Sequence, residues 1–334
     1  MKRKIVIVIS TVVGLTVLIL IFYLAGIQNV FFEIGQIGLW GAVVFIANAL
    51  FILFLATLSW QIILTSYGCR LTFRDVFAAR VIGFAVSYLT PSMYLGGEPL
   101  RAYIISKRHH LPMTKVGAAV IVDKFLELGA GLFFIYLGSI WTLIEYSLPR
   151  QIYLTLFIVN ILLGAGMGML LVNFLYESKL FTSLATLLER INPLSKIIKK
   201  IKPEISKLED HVFLAFNQHR TTTLLAFCIK LCAGLFIFIK PAIFFYFLKT
   251  VFKLSELALL FALTHLVLAL QFTPGALGIF ELGEVGIFKL VGIEPNRALA
   301  FSLMVRITDF LGVGIALSLV FHLGWKGLWE KRGE

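Results

Sequence analysis

Residues 88–98 read Tyr-Leu-Thr-Pro-Ser-Met-Tyr-Leu-Gly-Gly-Glu, and residues 271–281 read Gln-Phe-Thr-Pro-Gly-Ala-Leu-Gly-Ile-Phe-Glu. Each stretch puts Thr-Pro at the end of an apolar run and a glutamate seven residues after the proline. Proline removes a helix donor and glycine loosens the backbone, so each is a place where a helix stops. The runs that end there, 76–89 and 257–272, are short for a membrane of about 30 Å, and the second resumes over 278–291. Broken backbone inside a bilayer is tolerated only where protein or water surrounds it, typically around a substrate site. Both stretches therefore read as re-entrant helical hairpins, with breaks at Pro91, Gly96 and Gly97 and at Pro274, Gly275 and Gly278.

Around them the chain is almost entirely apolar. Of 334 residues, 59% are hydrophobic and 14% charged, against about 25% charge in soluble domains. This composition excludes a soluble enzyme, and unbroken runs of about 20 residues exclude an outer-membrane barrel. Six runs are long enough to cross, at 5–25, 39–65, 116–140, 152–174, 222–248 and 298–321. The first follows Met-Lys-Arg-Lys, but it exceeds the 7–15 residues of a signal-peptide core and lacks an Ala-x-Ala site, so it reads as a retained span. The fold expected is an all-α polytopic membrane protein: six full spans plus two re-entrant hairpins, in a single transmembrane domain over 1–334.

Charge orients this layout. With the N-terminus inside, 21 basic residues, Arg80 among them, fall on cytoplasmic segments and five on outside segments, which places both termini in the cytoplasm. The net charge of +12 then belongs to loops facing anionic lipid and not to a nucleic-acid surface, for which no aromatic-interleaved basic stretch exists. The polar segment 176–220 carries Leu180, Leu184, Leu187, Leu188 and Ile191, then Ile197, Ile198, Ile201, Ile205 and Leu208, at helical spacing. Five lysines lie among the second set, and Asn192-Pro193 and Lys202-Pro203 interrupt the pattern. It reads as a pair of amphipathic helices lying on the inner leaflet.

The two breaks lie 183 residues apart, and the same offset carries the span near 222 onto the span near 39. Asp123 and Arg306 each lie 32 residues after their proline. A unit of span, hairpin and span thus occurs twice, over 39–140 and 222–321, and the charge layout inserts the two copies in opposite senses. Inverted repeats of this kind place a transporter's site between broken helices.

Ionisable groups inside spans are functional candidates, because each costs about 2.5–3.5 kcal/mol to insert. Asp123 and Glu127 share one helix face, about 10 to 16 Å from the cytoplasmic end, with Lys124 one step round. Arg306 and Asp309 are three apart and can pair along their helix. These groups either hold helices together or line and gate a substrate path. Glycines 96 and 97 let backbone N–H groups approach a ligand, and Arg101 offers a fork that matches phosphate oxygens. Glu98 can orient Arg101, cap the helix, or take a cationic headgroup. Glu281 and Glu284 follow the second break. Lys230 and Lys240 are less informative, and snorkelling suits Lys240.

Three cysteines, Cys69, Cys228 and Cys232, form neither a disulfide framework nor zinc spacing. The GxxxG at 164–168 is a helix-packing signal, His109-His110 a solvated pair and His265 a packing residue. With no P-loop, HExxH, GxSxG or His-x4-Asp, neither a cofactor nor a metal is expected.

Gly-Gly-Glu-Pro-Leu-Arg at 96–101, Asp-Lys-x-x-Glu at 123–127, Pro-Gly-Ala-Leu-Gly-Ile-Phe-Glu at 274–281 and Arg-x-x-Asp at 306–309 together resemble one family. This is the lysylphosphatidylglycerol synthase transmembrane-region family of flippase-like membrane proteins, and the likeness covers roughly 5–325. Ala276 stands where the family usually has a second glycine. The resemblance implies a bacterial or archaeal cytoplasmic membrane protein that handles lipid headgroups. Some members move aminoacylated phospholipid between leaflets and carry a soluble transferase domain, which is not expected in these 334 residues; others are tied to polyprenyl-linked sugars. Carried over, it points to Glu98, Arg101, Asp123, Glu127, Glu281 and Arg306 as the site. The function expected is a lipid translocase. The alternatives are a membrane enzyme transferring a group to or from a lipid carrier, with Glu98 or Asp123 as base, and a helper subunit of a separate lipid-modifying transferase.

Overall fold

A computed structural model describes residues 26–90, 96–145, 150–176, 178–189, 195–269 and 273–330, with 16, 18–20 and 23 before them. The expected span 5–25, Pro91 and Asn192-Pro193 lie wholly or mostly outside the described residues. All regular structure among the described residues is helical. The helices are α1 (Ile27–Gln36), α2 (Gly38–Ser66), α3 (Phe73–Leu89), α4 (Glu98–Arg108), α5 (Met113–Glu145), α6 (Arg150–Tyr176), α7 (Leu180–Leu188), α8 (Ser195–Asn217), α9 (Arg220–Phe238), α10 (Lys240–Phe247), α11 (Leu254–Ala269), α12 (Ile279–Leu290) and α13 (Pro295–Glu330).

Four helical stretches among the described residues are long and apolar enough to cross a membrane: Gly38–Ser66, Tyr153–Tyr176, Arg220–Phe247 and Pro295–His322. The third contains a joint at Ile239, where Pro241 in the first turn of α10 cannot donate back to the end of α9. Helix α5 runs for 33 residues, about 50 Å at 1.5 Å per residue, but carries Asp123, Lys124 and Glu127 near its middle. Outward faces are apolar: Leu39, Leu162 and Leu317 are all more than 60% exposed, which only a lipid environment tolerates on this scale.

Helix α3 is capped at its start by Thr72, whose Oγ1 accepts from Asp75 N at 3.3 Å. It ends where Thr90 turns extended and its hydroxyl bonds back to Val86 O at 2.7 Å. Helix α4 begins beyond the break and packs against α3. Gly97 makes that approach possible: a Cβ there would lie 1.8 Å from Gly83 O, and Gly97 N donates to Ser87 Oγ at 2.8 Å. The second break has the same plan. Thr273 is extended, a short 3-10 turn spans Pro274–Ala276, and α12 packs back on α11, with Gly283 against Val267. Gly275 and Ala276 have φ of +59° and +52°. The alanine thus holds a left-handed conformation that its Cβ disfavours, which explains why glycine suits this position.

Two large apolar cores stack along α5. One gathers Trp60, Val76, Ile105, Val116, Val122, Phe125, Phe174 and Phe216 from α2–α6 and α8. The other gathers Phe45, Phe134, Phe244, Phe245, Phe261, Phe288 and Phe301. Segment 176–220 forms the expected helix pair, α7 and α8. Glu209 of α8 accepts from Phe181 N and Thr182 N at the start of α7, at 2.8 and 3.0 Å. Pro203, however, does not interrupt the pattern: it lies inside α8. A lost hydrogen bond is outweighed by packing on α5 and α6 through the buried Ile198, Val212, Ala215 and Phe216. At the other end, Glu33 of α1 pairs with Arg297 of α13 at 3.3 Å.

Candidate functional site

Asp123 lies on the α5 face that meets α4 and α9, and the Arg80 side chain of α3 reaches it. Its carboxylate is fully buried and receives three cations. Arg80 Nη2 of α3 stands 2.5 Å from Oδ2, Arg101 Nη1 of α4 2.8 Å from the same oxygen, and Lys230 Nζ of α9 2.8 Å from Oδ1. One turn further, Glu127 accepts from Lys124 Nζ at 2.7 Å and from Lys230 Nζ at 3.1 Å, with Arg80 Nη1 at 3.9 Å. Glu98, in the first turn of α4, closes the chain 3.6 Å from Lys124. The buried Trp60 forms the floor, with the Arg101 guanidinium 4.7 Å and that of Arg80 5.7 Å from its ring centre. Exposure is graded: Asp123, Lys230, Arg101 and Arg80 are buried, whereas the Glu127 side chain is 40% exposed. The cluster therefore has a sealed interior and an open rim.

A second cluster forms at the other break. Arg306 Nε of α13 donates to Glu281 Oε1 at 2.7 Å, Nη1 to Tyr88 Oη at 2.9 Å and to Gly275 O, and Nη2 to Ala276 O at 3.1 Å. Glu281 also accepts from Gly278 N at 2.8 Å, capping α12. Arg306 is thus committed to protein acceptors, and it holds the left-handed turn in shape. The two clusters share α3, because Arg80 belongs to the first and Tyr88 to the second. Eight residues of helix separate them by about 12 Å along the axis.

Most of the residues singled out by sequence are brought together, in two groups. Glu98, Arg101, Asp123, Lys124 and Glu127 form the first with Arg80, Lys230 and Trp60; Glu281 and Arg306 form the second with Tyr88. Asp309 joins neither. The expected Arg306–Asp309 pairing along the helix is replaced by Arg306–Glu281, because a partner on the packed face of α12 outcompetes one on the half-exposed side of α13. Asp309 makes no ion pair among the described residues. Glu284 is buried and accepts from Thr264 Oγ1 at 2.6 Å. Lys240 Nζ lies 5.1 Å over the Phe45 ring.

Arg80 is the main correction. Counted as a cytoplasmic-loop charge, it is a buried member of the cluster, and its place in the middle of the apolar run 76–89 was the available signal. Lys230 is 107 positions from Asp123, so no local spacing could join them. Among the described residues no group of three or more His, Cys, Asp or Glu side chains is arranged to hold a metal ion.

Fold and site together define a multi-pass, all-helical membrane protein with ionised side chains sheltered between its helices. The chain belongs to the family described as the lysylphosphatidylglycerol synthase TM region, which it matches over residues 7–316. It is 27% identical over 326 residues to a UPF0104 membrane protein of Methanothermobacter thermautotrophicus, covering 93% of this chain and 92% of that one. It is 24% identical over 259 residues to the UPF0104 membrane protein MJ1595 of Methanocaldococcus jannaschii, covering 75% of each. A third relative, PH1989 of Pyrococcus horikoshii, is 24% identical over 316 residues, covering 90% of this chain and 91% of its own. No solved structure matches the chain.

Proposed function

We propose that this protein is a lipid translocase of a prokaryotic cytoplasmic membrane, moving the headgroup of a phospholipid or a polyprenyl-linked glycolipid between leaflets. Six spans and two re-entrant helix pairs form an inverted repeat, both termini are cytoplasmic, and the headgroup passes the Asp123 cluster while the acyl chains stay in lipid. The observation that carries this reading is the cluster itself: seven charged side chains from α3, α4, α5 and α9 gathered among apolar helices and open at Glu127. Charge is retained in such surroundings where it serves a substrate path.

The packing supports the repeat. Helix α3 packs on α13 as α11 packs on α5, α4 on α5 as α12 on α13, and α2 on α9. Exchanging the two units preserves these contacts. Each unit also ties the short helix after its break to the long helix that follows by an ion pair, from Arg101 of α4 to Asp123 of α5 and from Glu281 of α12 to Arg306 of α13, although Glu281 itself corresponds in position to Glu98. Tyr88 and Arg306 join the units, so their contact has to open when one rocks against the other. The basic α7–α8 pair rests on anionic lipid at the inner face, and a separate transferase that supplies modified lipid is a fitting partner. Both Asp123 oxygens are occupied by cations, which leaves it ill placed as the base of a group-transfer enzyme.

Liposomes carrying labelled lipid test the proposal. The wild-type protein should exchange lipid between leaflets, and Arg101→Ala and Glu98→Gln should abolish exchange. Wild-type exchange by both variants would overturn the assignment.

A further inference from the structure

Resting on that reading, we infer that the Asp123 cluster is an anion site, and that its ligand is the phosphate of a net anionic lipid and not a cationic headgroup. The charge count has one sign. Arg80, Arg101, Lys124 and Lys230 stand against Glu98, Asp123 and Glu127, four bases to three acids. Among the described residues two buried donors of the cluster have no acceptor, Arg80 Nε, in a side chain nine-tenths buried, and Trp60 Nε1, while Asp123 Oδ1, which makes no hydrogen bond, is balanced by the Lys230 ammonium at 2.8 Å. Leaving a buried donor unpaired costs about 1–3 kcal/mol, and a phosphate oxygen is an acceptor that removes that cost while balancing the surplus charge.

The two carboxylates differ in a way that gives the anion a route. Asp123 is sealed and holds Arg80, Arg101 and Lys230 at 2.5–2.8 Å, as a permanent counter-ion. Glu127 is 40% exposed; it stays tied to Lys124 of its own helix through Oε1 at 2.7 Å, whereas its other oxygen reaches Lys230 at 3.1 Å and Arg80 only at 3.9 Å. It is the exchangeable counter-ion. A lipid phosphate arriving at the rim displaces the Glu127 carboxylate from Lys230 and Arg80 and takes the free Nε–H, with a fork geometry suited to phosphate oxygens. The buried Glu98 Oε2, an acceptor without a donor, is left for a headgroup hydroxyl at the same rim.

The test is direct binding to the purified full chain in a neutral detergent. The probes are dioctanoyl phosphatidylglycerol (anionic), dioctanoyl phosphatidylcholine (zwitterionic), dioctanoyl ethylphosphocholine (cationic) and inorganic phosphate. The anionic lipid should bind at least about tenfold more tightly than the other two lipids, the equivalent of about 1.4 kcal/mol. Glu127→Gln removes the competing charge and should tighten binding of the anionic lipid; Lys230→Met should weaken it. Inorganic phosphate should compete only at far higher concentration, and phosphate binding as tightly as lipid would overturn the lipid as ligand. Preference for the cationic lipid, or weaker anionic binding in Glu127→Gln, would overturn the anion site. Should Lys230→Met fail to fold, the sign of the Glu127→Gln effect decides alone. Binding needs no transport, so a lipid bound but not moved fails the translocase reading, whereas transport without charge preference fails this one.

Discussion

Replacing Asp123 with asparagine is the perturbation whose size the structure fixes best. The carboxylate is fully buried and carries Arg80, Arg101 and Lys230 at 2.5, 2.8 and 2.8 Å. Asparagine keeps the volume but removes the charge, leaving three cations to share a half-exposed Glu127. Breaking a buried pair by removing one partner costs about 3–5 kcal/mol. At about 2 °C or more per kcal/mol, the apparent melting temperature in detergent should fall by roughly 6–10 °C. Removing one of the stranded cations relieves the repulsion. Lys230→Met in the Asp123→Asn background should therefore cost less than Lys230→Met alone, with a non-additivity of about 1–3 kcal/mol. Intrinsic-fluorescence melting of the four proteins measures both quantities. An Asp123→Asn protein that melts within about 2 °C of wild type, or strictly additive variants, would refute the view of Asp123 as the counter-ion that holds the site together.

The two breaks give further tests. Gly97→Ala places a methyl group 1.8 Å from the Gly83 carbonyl, so α4 cannot seat on α3 and the protein should lose most of its folded yield by size-exclusion chromatography. Ala276→Gly relieves a left-handed alanine and should stabilise by about 1 kcal/mol, read as a higher melting temperature with lipid exchange retained. Glu281→Gln removes the charge facing Arg306 and weakens the α12 cap. It should lower the melting temperature by roughly 6 °C.

Much of this was legible in the sequence because membrane helices announce themselves by length and apolarity. The helices found at 38–66, 150–176 and 220–247 fall close to the runs read at 39–65, 152–174 and 222–248. Thr-Pro and the glycines marked both breaks, since each removes something a helix needs. The charges inside α5 were visible as anomalies, but their partners were not. Lys230 reaches Asp123 through packing of α9 against α5, and Arg80 by reaching across from α3, which packs on α4, and no local periodicity encodes either. Arg306 and Asp309 show the converse, because a spacing that permits a pair does not choose it once Glu281 and two carbonyl groups occupy the guanidinium. Pro203 was misread as a break because tertiary burial of α8 overrides a single lost hydrogen bond.

Opposite insertion of the two helix pairs is the claim on which the transport proposal depends, and sided thiol labelling tests it most directly. In a cysteine-free background, single cysteines at the exposed Arg70 and His110 flank the α3–α4 pair, and cysteines at the exposed Val251 and Glu294 flank α11–α12. In sealed, oriented vesicles, Arg70→Cys and His110→Cys should react with an impermeant reagent from the cytoplasmic side only, and Val251→Cys and Glu294→Cys from the outside only. Labelling of either pair's two flanks from opposite faces would mean that the pair crosses the bilayer outright, and would contradict the account.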